Sequence, residues 1–174
     1  MLIINIHQRV IDAPVDAIAP LIAAVGGNAD RLWPAPPWSP MRLDRPLAVG
    51  ARGGHGQIRY RVTEWEPGQY ARFDFEGMPG LTGFHAMRIE TWPGNTCRLE
   101  HRIEAKTSGT MQLIWPLMIR WLHDALVEDL LDNAELLATG RPPAKRNQWS
   151  WWVRVLRRRM PAPAAPRGVD HERA

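Results

Sequence analysis

TCRLEHRIEAKTSGTMQLIWPLMIRWLHDALVEDLLDNAELLATG, residues 96–140, changes its hydrophobic period part-way, and that change decides the fold. Up to Lys106 the period is two. Cys97, Leu99, His101, Ile103 and Ala105 alternate with Arg98, Glu100, Arg102, Glu104 and Lys106, the pattern of a strand with one wet face. From about Met111 the spacing becomes helical and predicts a helix over 111–138, with Gly140 as its C-terminal stop. Pro116 separates a lead-in turn from the main helix. Trp115, Met118, Leu122, Leu126 and Leu136 share one stripe, with Asp129 and Asn133 inside it.

Upstream the period stays at two. GQIRYRVTEWEPG sets Ile58, Tyr60 and Val62 against Arg59, Arg61 and Thr63; QYARFDFE sets Ala71, Phe73 and Phe75 against Arg72, Asp74 and Glu76. FHAMRIETW places His85, Met87 and Ile89 together. The turns EPGQ and WPGN join these runs into an antiparallel meander, and AVGARGG adds a short strand before it. At the N-terminus, LIINIHQRVI puts Ile4, Ile6 and Val10 on one face and Asn5, His7 and Arg9 on the other. A short helix is expected over 13–25, with Asp12 as its cap, Pro14 in its first turn and Pro20 as a kink or stop. Residues 26–46 form a Pro- and Gly-rich loop carrying Trp33 and Trp38. The order predicts an α+β domain in which a curved antiparallel sheet is covered by one long C-terminal helix.

At 174 residues the chain reads as one domain with an appendage. Its single cysteine, Cys97, excludes an internal disulfide and fits a reducing cytoplasm. No apolar run approaches the ~20 residues of a membrane span, and the N-terminus lacks the pattern of a signal peptide. Charge divides sharply: residues 141–174 hold nine basic and two acidic residues, while residues 1–140 hold 13 and 16. An anionic partner is therefore expected only at the tail.

The element order, VIDAPVDAI at the first strand–helix join, and the segments GARGGHGQIRYRVTEWEPG, GLTGFHAMRIE and LHDALVEDLLDNAE resemble the START-related polyketide cyclase/dehydrase (SRPBCC) superfamily. The resemblance covers residues 2 to about 139. It implies a helix-grip fold with a cavity between sheet and helix for an apolar molecule, in a START-like domain over 1–140 followed by a tail over 141–174. No catalytic signature of the superfamily carries over to named positions.

By alternation Glu64, His85 and His101 point inward, and Asp129 and Asn133 face them from the helix. They are candidate polar anchors or acid–base groups; end-of-strand solvation and satisfied core histidines are the plainer alternative. The candidate ligand-binding set is Trp33, Trp38, Tyr60, Phe73, Phe75, His85, Met87, Leu99, His101, Met118, Leu122 and Asp129. His55 and His123 show no ligand spacing, so no metal and no cofactor are expected. Trp33 and Trp38 either gate the pocket, with loop 76–84 as the other lip, or cap the core. Binding of a hydrophobic molecule is the leading reading, a cyclase/dehydratase-type enzyme using a pocket histidine the second, and a protein-interaction module, whose cavity would be packed shut with large side chains, the third.

The tail stretch NQWSWWVRVLRRRM gathers Trp149, Trp152, Val153, Leu156 and Met160 on one helical side, with Arg154, Arg157 and Arg158 mostly elsewhere. Peripheral contact with an anionic membrane and docking on the domain itself, or on a second copy in a homodimer, are open on equal terms. Nucleic acid ranks lower because the body is acidic. PAPAAPRGVDHERA is expected to be disordered.

Overall fold

The computed structural model describes residues 1–160, so the PAPAAPRGVDHERA expectation lies outside the described residues. The elements are β1 Leu2–Ile11, α1 Val15–Ala23, β2 Arg42–Leu43, β3 Arg52–His55, β4 Ile58–Glu66, β5 Tyr70–Glu76, β6 Leu81–Trp92 and β7 Thr96–Thr107. Then come α2 Met111–Ile114, a π-helical turn Trp115–Ile119, α3 Arg120–Thr139 and α4 Trp151–Arg158. The strands form one seven-stranded antiparallel sheet in the order β1-β7-β6-β5-β4-β3-β2, the predicted meander with the first strand returned to pair with the last. Its inner face and α3 bury one core, from Phe73, Met87 and Leu99 on the sheet to Leu126, Leu130 and Leu131 on the helix. Gly140 ends α3 in the left-handed region, φ 69°, a conformation a side chain would strain.

The inner face departs from simple alternation in three places. First, β1 is inverted. Ile4, Ile6 and Val10 face solvent, while Asn5, His7 and Arg9 look toward α3 between buried Ile3 and Ile11. The cause is the acidic edge of α3. Asn5 donates to Asp124 at 2.9 Å; Arg9 donates to Asp132 at 2.7 Å, Glu128 at 2.9 Å and Glu135 at 3.1 Å. Replacing Arg9 by Ala leaves three carboxylates facing one another, and should lower stability by about 2 kcal/mol in urea unfolding. An unchanged midpoint would show that these pairs contribute nothing.

Second, the register of β4 on β5 shifts between Val62 and Glu64. The extra residue reverses the alternation, so Glu64 lies outside with its carboxylate 3.0 Å from Arg72, and Trp65 turns toward the core instead. Glu64 is thereby removed from the interior candidates. Third, the π-helical turn at Pro116 widens the helix by a residue per turn and rotates the apolar stripe. Ala125, Leu126, Val127, Leu130, Leu131 and Ala134 are buried, whereas Met118, inside the turn, is exposed; Leu136, which follows the turn on α3, is exposed because ten residues of α-helix carry it off the face of Leu126. Asp12 does not cap α1, whose flanking residue is Pro14, and Pro20 lies inside that helix.

Candidate functional site

Strand register places Phe73 opposite His85 and Met87 opposite His101 on the covered face. Both histidines are 4% exposed. His85 Nδ1 lies 3.3 Å from His101 Nε2, so one ring donates and the other accepts. Phe73 stacks on His85 at 4.8 Å, and Tyr60 meets it at 4.4 Å. The row extends both ways. His55 sits 5.6 Å from Tyr60 and 4.8 Å from Trp33; His123 sits 5.0 Å from His101, and His7 6.0 Å from His123. Five of the chain's six histidines, four from the strands and His123 from α3, thus form one row between sheet and helix, with Tyr60 linking His55 to His85.

Burial, reinforced by neighbouring histidines, holds His85 and His101 well below the ordinary imidazole range. His55 is lowered to about 3 by burial, and the charges of His123 and Arg59 add to the shift. His123 is lowered by burial in spite of Asp124 beside it. His7 is the opposite case. Burial alone would lower it, yet hydrogen bonds to Asp124 at 3.1 Å and Glu128 at 2.7 Å raise it to about 9. Against the opposing effect of burial, the neighbouring His123 and His7 rings and the Asn5 amide hold Asp124 below the usual carboxylate range, and His7 and Arg9 do the same for Glu128. His85 Nε2, His101 Nδ1 and both ring nitrogens of His123 are buried with no hydrogen-bond partner.

Of the predicted ligand residues, Tyr60, Phe73, Met87 and Leu99 are buried around this row, and Phe75 and Leu122 are half-buried beside the core. The rings pack against one another where the sequence predicted a cavity. Met118 is outside, displaced by the π-helical turn. Trp33 and Trp38 are buried and cap the core. Asp129 and Asn133 do not face the histidines: Asn133 donates to the Leu32 carbonyl, and Asp129 turns to the tail. A recess of about 360 Å³ lies there, between Pro34–Pro37, Asp129, Asn133 and Asn147. A second, of about 230 Å³, lies on the outer face among Tyr70, Phe84, Arg88, Glu100 and Arg102.

The tail docks on the body. Ser150 caps α4 by accepting from the Val153 amide, and Val153 and Leu156 are buried. Asp129 accepts from Trp38 Nε1 at 2.7 Å, Trp149 Nε1 at 2.8 Å and Asn147 Nδ2 at 2.7 Å. Arg157 lies over the Trp38 ring at 4.9 Å and donates to the Pro37 carbonyl. Trp152 Nε1 donates to the Leu117 carbonyl at 2.9 Å. Trp149 and Arg157 therefore face the protein, while Trp151, Arg154 and Arg158 face out.

This architecture is a helix-grip fold, a curved antiparallel sheet covered by a long C-terminal helix. No family model matches the sequence, and the search of curated proteins found no match. Among solved structures, CalU16 from Micromonospora echinospora is 20% identical with TM-score 0.55, over 89% of this chain and 81% of that one. Norcoclaurine synthase from Thalictrum flavum is 9% identical with TM-score 0.63, over 81% of this chain and 88% of that one. The di-domain ARO/CYC StfQ from the steffimycin biosynthetic pathway is 12% identical with TM-score 0.61; the match covers 81% of this chain and 52% of StfQ, about half its length. Among the described residues no helix is long and apolar enough to cross a membrane.

Proposed function

We propose that the protein binds a hydrophobic small molecule, lipid-like or aromatic, beneath α3, with His85 and His101 as its polar anchors. The row of buried ring nitrogens without partners, set among Tyr60, Phe73, Met87 and Leu99, carries this reading. An unpartnered buried polar atom costs about 1–3 kcal/mol, which a ligand hydroxyl or carbonyl in reach recovers. A synthase and an ARO/CYC protein share the fold, which supports a small-molecule site. Entry requires the rings to part and the Trp38–Asp129–Trp149 closure to open. Binding is favoured over acid–base catalysis, because a histidine held neutral far below the working pH is a weak base. Native mass spectrometry of full-length protein purified from its natural host should show a discrete extra mass that is lost on denaturation. An apo mass, with no uptake of fatty-acid or polycyclic aromatic probes, would sink the proposal.

A membrane surface is a fitting source or destination for such a ligand. Leu113, Leu117, Trp121 and Trp151 are exposed on α2, the π-helical turn, the start of α3 and α4, with Arg120, Arg154 and Arg158 also exposed on α3 and α4. This face carries the proposal that the protein rests on anionic bilayers. Full-length protein should co-sediment with phosphatidylserine vesicles, and Leu117→Glu together with Trp151→Ser should weaken that at least tenfold. Equal binding by the double variant would dismiss this face.

A further inference from the structure

At the end of the histidine row away from the proposed anchors His85 and His101, β1 and α3 bring together His7, His123 and Asp124. His7 Nε2 lies 3.1 Å from Asp124 Oδ1, and His123 Nδ1 lies 3.6 Å from the same oxygen. Ligand atoms from all three residues lie within 4.8 Å of one another. From this geometry we infer that His7, His123 and Asp124 form a binding site for one divalent transition-metal ion of the zinc class.

Two nitrogens and a carboxylate oxygen are donors such an ion accepts, at about 2.0–2.2 Å each, which matches this spacing after small side-chain movements. The surroundings are already arranged. His7 Nδ1 is held by Glu128 at 2.7 Å, and Glu128 by Arg9 at 2.9 Å, leaving Nε2 aimed at Asp124. A histidine oriented by a carboxylate on its far nitrogen is the usual support of a metal ligand. His123 supplies the second observation. Its ring nitrogens are buried and have no hydrogen-bond partner, and 3.6 Å to Asp124 is too long for a hydrogen bond. Asn5 Oδ1, on the amide that donates to Asp124 at 2.9 Å, is likewise buried without a donor, and a metal-bound water would provide one. Metal entry exchanges the Nε2 proton of His7 for the ion and releases that proton to solvent. Three protein ligands leave a coordination position open, as in reactive zinc sites rather than closed structural ones. The ion would adjoin His101, whose ring lies 5.0 Å from His123, and so terminate the buried row.

Full-length protein stripped with EDTA and titrated with Zn²⁺ in a calorimeter should bind one ion per chain, and Co²⁺ should give visible absorption bands. His123→Asn and Asp124→Asn should each weaken binding at least 100-fold. Glu128→Gln, which only loosens the support of His7, should weaken it roughly 10–100-fold. His171→Ala, the sixth histidine, should change neither stoichiometry nor affinity. Circular dichroism in EDTA checks that the variants fold; where one does not, Glu128→Gln carries the test. Zn²⁺ binding that is equal in wild type and the folded variants, or absent from wild type at 100-fold molar excess, would overturn the inference.

Discussion

Between pH 6.5 and 4.5, in metal-free buffer, the protein should lose stability by up to about 4 kcal/mol per pH unit, which is enough to unfold it within that range. The loss comes from His55, His85, His101 and His123, all held below the ordinary imidazole value chiefly by burial. Unfolded, each takes up a proton as the pH falls through about 6.5; folded, His55, His85 and His101 stay neutral until much lower pH, and His123 titrates below its ordinary value. The unfolded state therefore binds more protons, and stability present above pH 6.5 drains away below it. His7 acts in the other direction. Its folded value of about 9 means that its contribution is complete below 6.5 and lost as pH rises toward 9. Asp124 and Glu128, both lowered, withdraw their contributions only below the ordinary carboxylate range. Stability should peak near pH 6.5–7. Urea midpoints measured from pH 4.5 to 9 check this, and His85→Leu should shallow the acid limb by about one proton. A flat profile from pH 7 to 5 would mean that these rings are hydrated rather than buried.

Asp129→Leu should cost about 3 kcal/mol and free the tail, because one carboxylate accepts from Trp38, Trp149 and Asn147. Three donors lose their acceptor, and the leucine cannot replace it. Lys145 and Arg146, exposed in the linker before α4, should then become rapid trypsin sites. Asp129→Asn, which keeps one acceptor oxygen, should fall between. Wild-type trypsin resistance and an unchanged urea midpoint in Asp129→Leu would show that the tail is held by Val153 and Leu156 alone.

Much of the fold was legible because β4–β7 pair with chain neighbours, so local alternation reports the covered face. Tyr60, Phe73, His85, Met87, Leu99 and His101 were all assigned to the correct side. What misled was decided at a distance. The isoleucines of β1 suggest a buried row, but Asn5, His7 and Arg9 turn inward because acids on α3 meet them there. Glu64 was inverted by one unpaired residue, and Met118 by a π-helical turn; neither leaves a mark in a periodic pattern. The histidine row was invisible for a similar reason. Its members come from β1, β3, β6, β7 and α3, and only the sheet order and the packing of α3 on the sheet place them side by side. Pro116 was the one hint of the slip in helical phase.

The pairing of β1 with β7 also governs how the chain can fold. Leu2 sits opposite Lys106, and the Met1 amino group donates to the Thr107 carbonyl at 2.7 Å, so the sheet cannot close until β7, whose end lies 106 residues downstream of Met1, has been made. At roughly 5–20 residues per second, β1 waits on the order of 10 s on a ribosome, with Ile3 and Ile11, both buried in the finished fold, among its unpartnered side chains. The hairpins β4–β5 and β6–β7 form early from local contacts, and the closure of β1 is the late, slow step. During that interval the amino-terminal segment is the part of the nascent chain most open to a chaperone, or to the same segment of another copy.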